Sequence, residues 1–291
     1  LTRAARNLFL TQPAVSNALR RLRELLGDEL VRRSGQGVEP TARALLLWPT
    51  VREALRQLQE TLAPGAFDPG NAQTTFVLAM ADATAAEILP GLAHIMETEA
   101  PGVALRVLPL ATRDPRQLLE DGGIDLAIGY FPAVLADLTA AEQAGLGASF
   151  EHQRLYAGEY VAVMREGHTL ARGPLTLTRF CAARHLLVTF SGRPFGFIDE
   201  ALASLGERRR VVMTVNQFFT AGQVVTQSDL LSVLPLAFLP ATGHEGQLLV
   251  RELPFDLGAM QVNMLWHMRH DTEPAHRWLR ERVLRSAGVQ P

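Results

Sequence analysis

Between Thr11 and Leu26 the sequence TQPAVSNALRRLRELL gathers amides, a hydroxyl and guanidinium groups at helical spacing. At about 100° per residue, Val15, Ala18, Leu19, Leu22, Leu25 and Leu26 fall within one arc of about 120°. Gln12, Pro13, Ser16, Asn17, Arg20, Arg21, Arg23 and Glu24 occupy the opposite half. Gln and Asn carry the donor–acceptor pair that reads an adenine edge, while Ser and Arg hold phosphate or guanine. The polar half thus offers what a helix in a major groove needs, and the apolar half would seat it on its own domain. Amphipathy alone marks only a surface helix. The flanking signals say more: Thr11 is a good N-cap, and Pro13 stands in the first turn, where a missing N–H costs nothing. A shorter helix capped by Thr2, from Arg3 to about Leu8, would precede it by about three residues, the helix-turn-helix spacing.

Charge is distributed to match. Residues 1–33 hold seven arginines against three acids, +4; the 291-residue chain totals −2, so the remainder carries −6. A basic end on a mildly acidic body is the pattern of a terminal nucleic-acid module. All 28 basic residues are arginine, which removes P-loop and Schiff-base chemistry, because both require lysine. The single cysteine, Cys181, excludes an internal disulfide framework and a thiolate-rich metal site. At 47 % hydrophobic residues the core supply is ample, yet no run approaches the roughly 18 apolar residues that span a bilayer. The expectation is a cytoplasmic protein with no membrane partner and no cofactor.

The next element would be a helix capped by Thr41 and running to about Leu62. Trp48, Val51, Leu55, Leu58 and Leu62 alternate spacings of three and four, a coiled-coil seam. Pro49 within it implies a kink or one lost backbone bond. The Pro/Gly-rich stretch APGAFDPGNAQTT, from Ala63 to Thr75, reads as a hinge.

From Phe76 the period changes. FVLAMA (76–81), ALRVLPL (104–110) and DLAIGYF (125–131) suit parallel strands buried on both faces, with helices at about 85–99 and 115–121 between them. A second set follows in YVAVMR (160–165), HLLVTF (185–190), RRVVMTV (209–215) and LLSVL (230–234), with helices at about 196–205 and 217–226. QVNMLWHM (261–268) is a strand and EPAHRWLRERVLR (273–285) an amphipathic helix. Two α/β lobes closed by a C-terminal element imply a cleft between them.

Ligands of such sheets sit at the C-terminal strand ends. Those positions hold Asp82, Ala83 and Thr84; Thr112; and Gly129, Tyr130 and Phe131. The other lobe would supply Phe190, Ser191, Arg193, Phe195, Phe197, Gln217, Phe218 and Phe219, and the last strand Trp266 and His267. Helix starts at Thr84 and Gln217 would favour an anion. The aromatic group suits a flat apolar body, with Arg193 as a carboxylate partner.

Rival chemistries fit less well. His267, His270, Asp271 and His276 match no metal-ligand frame. GLG at 145–147 lacks the third glycine and the strand–helix context of a dinucleotide loop. Ser191 has no nucleophile elbow around it.

LTRAARNLFLTQPAVSNALRRLRELLGDELVRRSGQGVEPTARA closely resembles the winged helix-turn-helix of LysR-type transcriptional regulators, above all in TQPAVS, LRRLRELLGDELVRR and PTARA. The resemblance implies that TQPAVS opens the recognition helix, with Gln12, Pro13, Ser16 and Asn17 toward base edges and Arg20 and Arg21 toward the backbone. Leu30 to Val38 would form the wing, placing Arg32, Arg33 and Ser34 beside phosphate. The family's first helix would precede Leu1.

The second half resembles the effector domain of the same family, nearest the branch sensing salicylate, nitroaromatics and flavonoids. ADATAAEILPGL, EAPGVALRV, DLAIGYFP, RLYAGEYVAVMREGH, RRVVMTVNQFF, QSDLLSVLP and MLWHMRHDTEPAHRWLRE recur in order. It implies a periplasmic-binding-protein-like domain with a pocket lined by Ala83, Thr84, Ala85, Tyr130, Phe131, Phe195, Gln217, Phe218, Leu265 and Trp266. Asn216–Gln217 departs from the proline–histidine common there. The implied organisation is an α/β protein. Residues 1–41 form the winged helix-turn-helix, incomplete at its start; 42–63 form the linker and dimerisation helix, and 64–75 the hinge. Lobe I comprises 76–155 with 254–291, and lobe II 156–253. Expected partners are a double-stranded DNA operator, a small aromatic effector, RNA polymerase as a further candidate, and further copies of the chain in a homodimer or homotetramer. A solute-binding protein, or a small-molecule enzyme on the same two lobes, is the alternative.

Overall fold

The computed structural model describes residues 11–34, 37–62, 67–145, 147–190, 192–258 and 260–288. The chain divides into two compact units, Leu1–Gly65 and Ala66–Pro291. The expected short helix between Arg3 and Leu8 lies outside the described residues, as do Ser191 and the side chains of Arg33, Ser34, Leu58 and Leu62.

In the first unit, helix α1 (Gln12–Leu26) starts at its N-cap, where Thr11 Oγ1 accepts the Ala14 N–H at 3.4 Å. It stops at Gly27, whose φ of 61° lets its N–H reach the Arg23 carbonyl; a glycine takes that left-handed step without a Cβ clash. Leu30 also has a positive φ, 58°, a conformation costing a side chain about 1–3 kcal/mol unless its surroundings enforce it. Here they do. The Leu30 N–H donates to Asp28 Oδ1 at 2.7 Å, and the Leu30 carbonyl accepts the Thr41 N–H at 2.9 Å. Thr41 Oγ1 donates to the same Asp28 oxygen at 2.7 Å and accepts the Ala44 N–H at 3.1 Å, capping helix α2 (Ala42–Leu62). Those hydrogen bonds, from Thr41 first and Leu30 second, hold the Asp28 carboxyl below the usual carboxylate range. Strands β1 (Val31–Ser34) and β2 (Gly37–Pro40) pair antiparallel between the helices, Val31 opposite Pro40. Helix α2 continues through Pro49, which has no N–H to donate to the preceding turn.

The second unit has two lobes. Lobe I is a five-stranded sheet in the order β4-β3-β5-β12-β6. Its strands are β3 (Thr75–Met80), β4 (Ala104–Pro109), β5 (Leu126–Gly129), β6 (Phe150–Gly158) and β12 (Met260–His267). β3 is parallel to β4 and β5, and β12 is antiparallel to β5 and β6. Helices α3 (Asp82–Glu99) and α9 (Pro274–Ser286) cover one face, where Leu78, Ile88, Leu92, Leu126, Ile128, Met264 and Leu279 are fully buried. Burial of each such side chain contributes about 1.5–3 kcal/mol. Helices α4 (Arg116–Glu120) and α5 (Pro132–Gln143) cover the other.

Lobe II holds a three-stranded antiparallel sheet of β10 (Ser232–Pro235), β7 (Tyr160–Arg165) and β11 (Leu248–Arg251), with a parallel pair β8 (Arg184–Val188) and β9 (Arg210–Val215) beside it. An isolated bridge from His185 to Leu231 joins the two. Its helices are α6 (Leu177–Ala182), α7 (Phe197–Ser204) and α8 (Phe218–Thr226). Asp199 ties this lobe together: Oδ2 accepts the Gly196 N–H at 2.8 Å, capping α7, and Oδ1 takes the Arg209 Nε–H at 2.8 Å. Both side chains of that ion pair are buried, at 1 % and 10 % exposure.

The chain passes between lobes twice, slightly later than the sequence pattern places it. β6 stays in the lobe I sheet to Gly158, and Leu253, Phe255 and Leu257 pack on the core of lobe II. β6, β11, α5 and α6 are elements the pattern omits. β6 is an edge strand that buries only Leu155, and α5 buries only Val134, so neither writes a strong apolar period.

Candidate DNA-reading face and inter-lobe site

The cap at Thr11 sets the start of α1, and most of the polar arc lies at the surface. Gln12, Pro13, Asn17, Arg20 and Arg21 are exposed and Ser16 is half-buried. Arg20 Nη1 sits 3.0 Å from Glu24 Oε1, an exposed pair one turn apart. Such pairs contribute only about 0.3–0.5 kcal/mol, so a phosphate can take this guanidinium over at little cost. Arg23, on the same polar half, is committed elsewhere. Its Nε donates to the Glu29 carbonyl at 2.7 Å and its Nη2 to the Val31 carbonyl at 3.2 Å, binding the helix end to the first wing strand. Arg32 is exposed on β1, and the backbone of Arg33 and Ser34 completes that strand. The opposite face of α1 has no fully buried residue: Leu22 is 47 % and Leu25 80 % exposed.

Between the lobes the structure separates the expected residues into three groups. Ala83 is buried against lobe II, in a cluster with Val161, Phe218, Ala221 and Leu239. Phe218 stacks edge-on with Phe190 and Phe238, and Phe219 with Phe238. Thr84 is buried, and burial pushes the nearby Tyr156 phenol strongly up, with the Glu87 charge acting the same way. Ala85 packs toward the lobe I core. Gln217 is exposed, and its Oε1 accepts the Thr220 hydroxyl at 3.3 Å. Arg193 and Phe195 are exposed.

Three expected lining residues are core instead, Leu265 being fully buried in the lobe I sheet. Phe131 is fully buried with Leu110, Leu119 and Val134. Trp266 is 5 % exposed, with the Arg280 guanidinium 4.3 Å over its ring and its Nε1–H donating to Asp271 Oδ1 at 3.2 Å. The histidines near it serve the same frame. His276 Nε2 lies 3.0 Å from the Asp125 carbonyl, and its Nδ1 accepts from Arg280 at 2.9 Å. Among the described residues no group of His, Cys, Asp or Glu side chains is arranged to hold a metal.

The anion-friendly helix start at Gln217 is already occupied. Asp82, the first residue of α3 in lobe I, reaches across so that its Oδ2 accepts the Phe219 N–H of α8 at 3.0 Å. A carboxylate there is favoured by the dipole of α8. It also places negative charge where the helix-start argument expects a ligand anion.

A second inter-lobe cluster involves Arg113, one residue beyond the strand-end position Thr112. From the loop after β4 its guanidinium lies 5.7 Å from the Phe197 ring centre and 3.5 Å from Glu200 Oε1, both on α7 of lobe II. Tyr160 and Tyr130 stack edge-on against the same Phe197 ring, at 5.0 and 6.5 Å. Burial pushes both phenols up, with the Arg113 charge opposing it; at neutral pH both are neutral hydrogen-bond donors. The Arg113–Glu200 pair is half exposed, at 46 % and 57 %, and pairs of that kind contribute roughly 0–1 kcal/mol. Two cavities, of about 500 and 190 Å³, lie elsewhere: one beside Leu175 and Arg251, the other beside Phe67 and Trp278.

A capped, polar-faced helix followed by a two-stranded wing, on a chain that continues into a two-lobed α/β unit, defines a class of ligand-responsive DNA-binding regulators. Comparison with known proteins agrees. Residues 1–45 match the bacterial regulatory helix-turn-helix protein model of the lysR family, and residues 69–288 match the LysR substrate binding domain. The chain is 34 % identical over 278 residues to the HTH-type transcriptional activator NahR of Pseudomonas putida, covering 95 % of this chain and 89 % of that one. It is 32 % identical to the activator NagR of a Ralstonia species, covering 96 % and 89 %. It superimposes on the crystal structure of the probable transcriptional regulator PA0477 from Pseudomonas aeruginosa with a TM-score of 0.73 at 32 % identity, covering 99 % and 91 %. This chain belongs to the LysR family of transcriptional regulators.

Proposed function

We propose that α1 reads a two-fold operator in double-stranded DNA through Gln12, Pro13, Ser16 and Asn17. Arg20 and Arg21 meet the phosphates, and the wing residues Arg32, Arg33 and Ser34 clamp the adjacent backbone. The observation that supports this reading is the exposure of Gln12, Asn17, Arg20 and Arg21 on one side of α1, with Ser16 half-buried among them, on a helix capped by Thr11. Helix α2 pairs with its copy in a homodimer or homotetramer, so that two recognition helices match a palindrome. A small aromatic, anionic effector binds between the lobes and favours one lobe arrangement over another; without that differential affinity it could not change DNA bending or polymerase contact. The protein works in the cytoplasm as a regulator and performs no reaction of its own. Among the described residues no helix is long and apolar enough to cross a membrane.

The test uses DNA fragments selected by the protein from genomic DNA. Affinity is measured by fluorescence anisotropy at several salt concentrations. Arg20→Ala should weaken binding about tenfold and lower the slope of log affinity against log salt by about one per protomer, the signature of a lost phosphate contact. An unchanged slope and affinity would remove Arg20 from the interface. Failure of the wild-type protein to prefer any fragment over random competitor would remove the DNA-reading assignment altogether.

A further inference from the structure

Two groups between the lobes concern the charge of the ligand. The start of α8 faces the carboxylate of Asp82, so an incoming anion would meet like charge there. Arg113 is the opposite case. It is a cation projected from lobe I toward the Phe197 ring of lobe II, 5.7 Å from its centre, and its counter-ion is the half-exposed Glu200 carboxylate at 3.5 Å. The separation is longer than the 2.7–2.9 Å of a good charged hydrogen bond. Tyr130 and Tyr160 stack edge-on against that Phe197 ring, and burial keeps both phenols protonated at neutral pH.

We propose that Arg113 is the anion-recognition residue of the inter-lobe site and that Glu200 is its built-in competitor, so the effector class is an aromatic carboxylate that displaces Glu200 from the guanidinium. The inference rests on the inter-lobe effector reading above and adds a residue and a mechanism to it. In the ligand-free protein the Arg113–Glu200 pair links the lobes as an internal stand-in for the ligand. A carboxylate seated on Arg113 meets the guanidinium in two parallel hydrogen bonds while its ring lies against Phe197. Glu200 is thereby released to solvent, and an inter-lobe contact is exchanged for one made through the ligand. Because the exchange alters a lobe–lobe contact, it supplies the differential affinity that a regulator requires.

The experiment is calorimetric titration of the full chain with benzoate, hydroxybenzoates and phenylacetate, each run beside its neutral amide. Wild type should bind at least one acid about tenfold or more tightly than the matching amide. Arg113→Gln should abolish that acid-over-amide preference. Glu200→Gln should strengthen acid binding about two- to fivefold by removing the competitor, without strengthening the amide. Both positions are half exposed, and a melting curve for each variant checks that it is folded. An acid preference that survives Arg113→Gln, or acid affinity unmoved by Glu200→Gln, overturns the proposal. Amides bound as well as acids by wild type overturn it too, while leaving an inter-lobe pocket standing. Binding of neither series removes the pocket reading along with it.

Discussion

Arg20 and Arg23 stand three residues apart on one helix, yet their surroundings assign them different work. Among the described residues Arg20 pairs with the exposed Glu24, whereas Arg23 donates to the Glu29 and Val31 carbonyls at the turn into the wing. Residue type could not separate them, because each is an arginine on the polar arc; the geometry of Glu29 and Val31 does. The same holds for acids. Asp199 is locked to Arg209 inside lobe II, while Glu200, its neighbour, faces the other lobe. Asp199→Asn keeps the size and the cap geometry but leaves the Arg209 guanidinium, 1 % exposed, without its charge partner. Breaking one side of a buried pair costs about 3–5 kcal/mol. Urea unfolding of the variant should show a midpoint lowered accordingly; a loss under about 1 kcal/mol would mean that water reaches Arg209.

At the scale of elements, caps and strand ends were the most legible features. Thr11 and Thr41 start α1 and α2 where capping chemistry places them. Pockets were less legible, because the rule that ligands gather at strand ends cannot say which way a residue just past the strand will turn. Tyr130 turns to the cleft and Phe131 to the core, one position apart. Arg113 was within reach of the same rule, one residue beyond Thr112. Helix α2 presents Trp48, Val51 and Leu55 at 58 %, 46 % and 51 % exposure, an apolar stripe at coiled-coil spacing that a single copy leaves wet. A charge in that stripe should therefore act on assembly. Leu55→Glu is expected to shift sedimentation toward the monomer and weaken operator binding, since two half-sites would no longer be bound together. An unaltered sedimentation coefficient would move the dimer contact off α2.

For the whole molecule, acid is the condition that strains both lobes at once. His185 in lobe II and His276 in lobe I are buried, and burial lowers each from an ordinary 6.5 to about 4. Nearby arginines push the same way. Both imidazoles are neutral in the folded protein, while the unfolded chain takes up protons from about pH 6.5 downward. The stability they allow is thus fully present above that pH and is lost as pH falls toward 4. Each pH unit between those limits is worth about 1.4 kcal/mol, so each histidine lowers stability by about 2 kcal/mol between about pH 7 and pH 5. Urea midpoints of the protein across that range should fall steeply. A flat profile would require both rings to become charged without unfolding.

The course of α1 and α2 and the two-lobed α/β plan, apart from β6, β11, α5 and α6, were written in local periodicity and capping residues, because those signals depend on neighbours three or four positions apart. What local periodicity cannot encode is which side chains meet across a hundred residues of chain. Asp82 capping α8 and Arg113 facing Glu200 exist only because the fold brings distant strand ends and helix starts together. Tertiary structure alone decided which aromatics became core, which carboxylates met a helix start, and which cation was left in the cleft with a partner weak enough to be replaced.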